Sequence, residues 1–368
     1  MINVLYIGGF ELPDKNAAAQ RVMAIGKTLR ETGCQVTFVG VSKEGKETSA
    51  TYEGFGCYSL PYPRSMSQWL RHIWEFMPIE KLAAYQPNYV FLYNFPAVAS
   101  LKILRYCHKK GIKVFHDTTE WEYAEGYSLR DLIKNADTWL RMKFCLKRMD
   151  GVIAISRYLY DYYAPKVKTV LVPPTVDLEN KKWNRGRQSE VGNNVKLVYA
   201  GSAGAKSKDR LDHIVKAISR YDNIELKVVG LTQDQYEKDF GDLPDVCHNV
   251  VFIGRLPHIE AVKVVMCADF QMLIREDTLK NRAGFPTKFV ESISCCTPLI
   301  ATLSSNIGDY LIDGKNGFIV DEHNSLYDVL EKVSKLSAED RMKMKNYCRD
   351  NNPFDFHNYT TEFKKLFD

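Results

Sequence analysis

The sequence predicts an α/β protein built from two doubly wound, Rossmann-like domains in tandem, and three observations predict it. Short runs rich in Val, Ile, Phe and Tyr alternate with longer amphipathic stretches, the pattern of strands buried in a parallel sheet and joined by helices. The alternation occurs twice, on either side of a polar, aperiodic segment near 178–195. The length of 368 residues also suits two domains of roughly 100–200 residues each. A composition 45% hydrophobic and 26% charged excludes disordered, collagen-like and disulfide-scaffold classes.

In the front half, strands are expected at 2–8, 35–41, 89–94, 113–117, 151–156 and 169–173. Between the first two lies a helix at about 17–32, with Val22, Ile25 and Leu29 on one face and Gly33 as its terminator. This is a βαβ unit. The second series places strands near 196–200, 225–230, 250–253, 270–274, 298–301 and 317–320, with helices between them. The expected division is a front domain over 1–178, a linker over 179–195 and a rear domain over 196–352. Residues 353–368 carry Phe354, Phe356, Tyr359, Phe363 and Leu366 at helical spacing. Ligands of open α/β sheets lie at the carboxyl ends of the strands, so a cleft between the two sheets is the expected site.

The net charge of +5 is too small to indicate a nucleic-acid partner. Its distribution is uneven: residues 1–180 hold 23 basic and 18 acidic side chains, so the whole excess lies in front. That asymmetry suits an anionic surface or substrate, and equally a chance imbalance. Nine cysteines without a CxxC pair indicate neither a zinc site nor a disulfide framework. The chain opens on a strand-like run, and no uncharged apolar run approaches the length of about 20 that crosses a bilayer, so a cytoplasmic location is expected. Segment 65–85 sets Trp69, Leu70, Ile73, Trp74, Phe76, Met77 and Leu82 beside Arg71, His72 and Lys81. It reads as a core helix or as an interfacial helix in peripheral contact with the inner face of a membrane.

Three segments carry chemistry. The first loop, Gly8-Gly9-Phe10, lets a bound group approach the backbone or simply makes a tight turn. It is not GxGxxG, which weighs against a dinucleotide dehydrogenase. The second loop, Gly201-Ser202-Ala203-Gly204-Ala205-Lys206-Ser207-Lys208, follows a strand and precedes a helix, placing small residues and lysines where a phosphate would dock. The third, Gly284-Phe285-Pro286-Thr287-Lys288 with Arg275 upstream, leads into a helix whose free amides, dipole and Lys288 attract a diphosphate, with Pro286 suited to an early helical position. Glu291, one turn after Lys288, faces the same side and can accept from a ribose diol, or can pair with Lys288 on the surface.

The stretch from Ala268-Asp269 through Ala283-Gly284-Phe285-Pro286, Glu291 and Cys296-Thr297-Pro298-Leu299-Ile300-Ala301-Thr302 to Asp313-Gly314-Lys315-Asn316-Gly317-Phe318 resembles the nucleotide-sugar half of glycosyltransferase family 4, the group 1 transferases. Gly201-Ser202-Ala203-Gly204 with Lys208 resembles the family's phosphate loop, and Val172-Pro173-Pro174-Thr175-Val176-Asp177 the segment closing its first domain. The resemblance implies a GT-B fold, two Rossmann-like domains facing each other across a cleft, with the terminal helix packed back on the first. It implies transfer of a sugar, with retained configuration, from a nucleoside diphosphate sugar to a saccharide or lipid-linked acceptor. No metal and no cofactor are implied, and no Asp-x-Asp motif is present. The product would be a surface polysaccharide or glycolipid.

By resemblance Glu291 holds the ribose, while Lys208 or Lys206, with Arg275 or Lys288, faces the diphosphate. His116, at the end of the 113–117 strand, resembles the histidine near the donor sugar, and Asp117 and Glu120 become candidates for acceptor hydroxyls. Backbone near Gly254-Arg255-Leu256 is expected at the base. The chain departs from the family's paired glutamates, because the first falls on Ala283. That departure keeps in view a donor-binding or scaffold subunit whose catalysis has decayed, and the shared two-domain architecture keeps in view a nucleotide-sugar 2-epimerase.

Overall fold

A computed structural model describes residues 2–13, 15–183, 194–201, 208–243 and 248–368. The chain forms two compact units, a front unit of Met1–Val176 with Asp355–Asp368 and a rear unit of Asp177–Phe354, named for their order in the sequence.

The front unit carries strands β1 (Ile2–Gly8), β2 (Cys34–Ser42), β3 (Thr48–Tyr52), β4 (Phe55–Pro61), β5 (Tyr89–Tyr93), β6 (Lys113–Thr118), β7 (Gly151–Ala154) and β8 (Thr169–Leu171). They lie in the order β3-β4-β2-β1-β5-β6-β7-β8, parallel except for β3, which pairs antiparallel with β4. Its helices are α1 (Ala17–Glu31), α2 (Met66–Trp74), α3 (Ile79–Ala84), α4 (Ala97–Lys109), α5 (Leu129–Leu140) and α6 (Arg157–Tyr163). Helix α1 starts where the Asn16 side chain accepts from the Ala19 amide at 2.8 Å, and it ends at Gly33, whose φ of +86° the glycine tolerates.

The rear unit carries β9 (Val195–Ala200), β10 (Ile224–Val229), β11 (Val250–Gly254), β12 (Phe270–Leu273), β13 (Leu299–Thr302) and β14 (Gly317–Val320). With α7 (Leu211–Ile218), α8 (Gln233–Phe240), α9 (His258–Met266), α10 (Leu279–Ala283), α11 (Thr287–Ser294), α12 (Leu326–Ser334) and α13 (Ala338–Asp350) they make a doubly wound domain. The strand order β11-β10-β9-β12-β13-β14, all parallel, is the Rossmann order 3-2-1-4-5-6. Its winding reverses between β9 and β12, which is where such sheets bind ligands.

Three features differ from the sequence expectation. The β3–β4 hairpin is additional: Thr48-Ser49-Ala50-Thr51 is a polar, exposed edge strand without apolar alternation. The junction falls at 176/177 rather than after 178, and Trp183, inside the expected linker, is fully buried in the rear unit; residues 184–193 lie outside the described set. The segment 65–85 is not one core helix, because none of the residues of α2 is buried, whereas Phe76, Met77 and Leu82 beyond it are.

Helix α14 (Thr360–Phe367) lies on the front sheet. Phe363 and Leu366 enter the same core as Tyr6, Phe91 and Phe115, and each buried side chain contributes about 1.5–3 kcal/mol. Among the described residues no helix is long and apolar enough to cross a membrane.

Candidate functional site

Three rear strands end in glycine. Gly201, Gly230 and Gly254 follow or close β9, β10 and β11 with φ of +151°, +126° and +78°, and the Gly201 amide donates to Val229 while that of Gly230 donates to Gly254, both at 2.9 Å. The backbone there is stripped of side chains for a reason: a Cβ on Gly201 would lie 2.1 Å from Lys288 Cε. Lys288 therefore runs across the end of β9, in the first turn of α11.

Its ammonium meets a built cluster. Lys288 Nζ donates to the Tyr199 hydroxyl at 2.9 Å and contacts Asp209 Oδ2, and the same hydroxyl donates to Asp209 Oδ2 at 2.8 Å. Arg275, just past β12, places Nε 2.5 Å from Asp209 Oδ1. The two main chains pair here as well, since Asp209 and Arg275 form an antiparallel bridge and the Arg210 amide donates to Ile274 at 2.8 Å. Burial pushes the Asp209 carboxyl up, but Lys288 and Arg275 outweigh it and hold it down at about 2. Burial depresses Lys288, against the pull of Asp209. Two cations sharing one carboxylate leave net positive charge at the switch point, beside the free amides of α11, an arrangement that attracts a diphosphate.

The remaining rear candidates fall around this cluster. Glu291, one turn along α11, is bonded through Oε1 to His258 Nε2 at 3.0 Å, which ties it to the first residue of α9. Gly284 and Pro286 are buried, and Pro286 is the N-cap of α11 rather than a residue inside it, with Thr287 opening the helix. The Phe285 ring packs against Phe289, Tyr310 and Phe354, so its side chain belongs to the core and not to a ligand. Ala283 is fully buried at the end of α10. Lys208 is half-buried beside Asp209 and Arg255 is exposed after β11, while Ser202 and Lys206 lie outside the described residues. Sequence reasoning missed Asp209, Tyr199 and His258. Only Asp209 left a trace there, as an acid directly after the basic loop.

The front candidates change role. Asp117 is fully buried, paired with Arg21 at 2.7 Å and accepting from the Tyr6 hydroxyl at 2.6 Å. Arg21 also donates to the carbonyls of Val172 and Pro173 at 3.0 and 3.1 Å. Asp117 thus ties α1 to the sheet and to the segment after β8, and its buried carboxylate, engaged by Arg21 and Tyr6, offers nothing to an acceptor hydroxyl. Gly8 is likewise committed, since a Cβ there would lie 2.6 Å from Tyr93 Cβ, whereas Gly9 is exposed with open space around it. Glu120 is exposed.

His116 is 0% exposed, with Nε2 accepting from the Phe95 amide at 3.3 Å and Nδ1 against Thr118 Oγ1 at 2.8 Å. Both nitrogens are used inside the fold, which contradicts direct contact with a donor sugar. Burial, and then Arg141, push its pKa down from 6.5 to about 3. Between these values the unfolded chain binds a proton that the folded one does not, so stability present at neutral pH is lost as pH falls from 6.5 toward about 3. His116→Gln is expected to flatten the fall of the urea midpoint between about pH 7 and about pH 5. A fall as steep as that of the unaltered chain would show that the imidazole charges freely.

With this geometry in view, the comparisons with known proteins are specific. Residues 182–351 match the family Glycosyl transferases group 1, and residues 18–180 match Glycosyltransferase Family 4. The chain belongs to this glycosyltransferase family and has the GT-B fold. A curated relative, an uncharacterized glycosyltransferase of Methanocaldococcus jannaschii, is 23% identical over 207 residues. That match takes in 55% of this chain and 53% of the relative, so the chain spans about half the length of the curated protein it matches. Among solved structures, sucrose-phosphate synthase from Thermosynechococcus elongatus superposes with a TM-score of 0.73 at 13% identity, covering 100% of this chain and 98% of the other. Anabaena Alr3699/HepE in complex with UDP and glucose gives 0.66 at 12% identity, covering 100% and 99%.

Proposed function

We propose that this chain transfers a sugar from a nucleoside diphosphate donor to a hydroxyl acceptor, with the anomeric configuration retained and without a catalytic metal. The observation that carries the proposal is the pair Lys288 and Arg275, held at the switch point of the rear sheet beside the first turn of α11. As the bond from sugar to diphosphate breaks, the leaving group gains negative charge. Two cationic side chains and helix amides fixed beforehand stabilise that charge without reorganising. The leaving phosphate itself helps to remove the acceptor proton in front-face attack, so no separate base is required.

Glu291 is assigned to the ribose: its Oε1 is steadied by His258 and its side chain remains about one quarter exposed, at 27%. Glu291→Ala is expected to weaken nucleoside diphosphate binding by about 1–3 kcal/mol, typical of removing a charged hydrogen-bond partner. Calorimetry with UDP, GDP, ADP and CMP reads this, with UDP first because a solved structure of the same fold carries it. Unchanged affinity in a folded variant removes the ribose assignment. Assays of the donor sugar with and without saccharide acceptors separate transfer from epimerisation, which needs no acceptor, and from binding without turnover.

The acceptor is proposed to be saccharide or lipid-linked, presented at the inner face of a membrane that the front unit touches peripherally, in synthesis of a surface polysaccharide or glycolipid. Support comes from α2 and α5. Trp74 is 60% exposed on α2, Leu129 and Trp139 are 72% and 57% exposed on α5, and Arg130 of α5 stacks over Trp69 of α2 at 5.4 Å. Exposed aromatics and leucines interleaved with bases are the composition of interfacial helices. The intact protein is expected to float with anionic liposomes and the Trp69→Ala, Trp74→Ala variant to stay behind. Equal, negligible flotation of both ends the membrane proposal.

A further inference from the structure

We propose that Asp209 is a positioning residue of the donor site, its carboxylate holding Lys288 and Arg275 side by side so that both cations meet the diphosphate together. This rests on the donor-site reading above. The reason lies in the geometry. Two cations at neighbouring strand ends repel each other, and with side chains only 14% and 10% exposed they have little water to screen them. One carboxylate, itself 3% exposed, bridges them: Oδ1 to Arg275 Nε at 2.5 Å, Oδ2 to Lys288 Nζ and to the Tyr199 hydroxyl. That hydroxyl also accepts from Lys288, closing a ring of three groups.

The carboxylate does not drift, because the backbone that carries it is fixed. Asp209 and Arg275 form an antiparallel bridge, and the Arg275 amide and carbonyl are both bonded to Thr302 Oγ1, at 2.8 and 2.9 Å. Asp209 thus belongs to the scaffold as firmly as the strands do, whereas a lysine on four methylenes has no preferred position of its own. The charge sum matters equally. Asp209 cancels one of the two positive charges, leaving the other for phosphate, and it opposes the desolvation that favours the neutral amine of Lys288.

The titratable groups that face Lys288 are Asp209 before α7, Arg275 after β12, Tyr199 on β9, and Glu291 on α11 with His258 behind it on α9. Of these, Asp209 is the anion in direct contact with the ammonium. Without it, burial and Arg275 both push Lys288 toward the neutral form, so its cation is lost at lower pH.

The test is calorimetry of the full chain with UDP, GDP and ADP, following the tightest of them from about pH 6 to about pH 10. Asp209→Asn is expected to bind about tenfold or more weakly at about pH 9, with a smaller loss at about pH 6 and the alkaline limb moved to lower pH. Asp209→Glu restores the limb. Tyr199→Phe keeps the buried ring, and so the fold, and moves the limb in the same direction by less; it carries the test should Asp209→Asn not fold. An unmoved limb in the folded variant, or tighter binding because an anion has been removed from a phosphate site, overturns the positioning role. Absence of nucleoside diphosphate binding by the unaltered chain overturns instead the donor-site reading on which the role depends.

Discussion

Replacing Arg21 by methionine lowers the stability of the front unit by about 3–5 kcal/mol, the cost of leaving a buried charge without its partner. Arg21 and Asp117 are 3% and 0% exposed, and the guanidinium places two nitrogens on the carboxylate while a third reaches the carbonyls of Val172 and Pro173. Methionine fills the volume but leaves Asp117 with the Tyr6 hydroxyl alone and two carbonyls without donors. Denaturant unfolding followed by tryptophan fluorescence reads the loss selectively, because Trp69, Trp74, Trp121 and Trp139 lie in front and Trp183 alone lies behind. The double change Arg21→Met with Asp117→Leu recovers much of the loss, since replacing both members of a buried pair by apolar groups is frequently neutral. A single-variant loss below about 1 kcal/mol would show that water reaches this pair and that it behaves as a surface bridge.

Gly230→Ala is expected to cost the rear unit about 3–5 kcal/mol, summing backbone strain and overpacking. Its φ is +126°, and a Cβ would stand 2.0 Å from the carbonyl oxygen of Gly201, a backbone atom that cannot rotate aside. Relief requires the end of β9 to move, and Gly201 is already closed on its far side by Lys288. The variant should therefore lose nucleoside diphosphate affinity even under conditions where most molecules remain folded. Gly308→Ala is the control: its Cβ would meet Leu303 at an ordinary 3.5 Å, and its effect should stay within about 0.5 kcal/mol. Equal stabilities of the two variants in chemical denaturation would show that the glycine ladder yields easily.

The parallel strands and their helices were legible in the sequence because a strand buried on both faces must be apolar throughout, and runs such as 2–8 and 196–200 say so directly. The β3–β4 hairpin was not, since an edge strand facing water needs no apolar pattern. Its turn alone gave a signal, Glu53-Gly54 with both φ positive at +49° and +79°, the mark of a two-residue hairpin. In the site, Lys288, Arg275 and Glu291 were readable as a basic and acidic constellation around a glycine loop. The group that organises the cations was not readable, because Asp209 lies 66 positions from Arg275 and 79 from Lys288 and only the fold brings them together.

Asp117 and His116 misled for a related reason. The end of a strand in sequence is not the edge of the sheet in space, and both side chains point into the unit. The overlooked clue was in α1: Arg21 shares a helical face with Ile25 and Thr28, all buried, and a charge on an apolar face demands a buried partner.

The return of the chain to its front unit also orders events during synthesis. The groove formed by Phe91 and Phe115 is sealed by Phe363, Leu366 and Phe367, which leave the ribosome only after the entire rear unit has been made. At about 5–20 residues per second, the nearly 180 intervening residues keep that greasy surface open for about ten seconds or longer. The nascent front lobe must wait for its own last helix while the rear lobe, whose segments are contiguous, is free to close first.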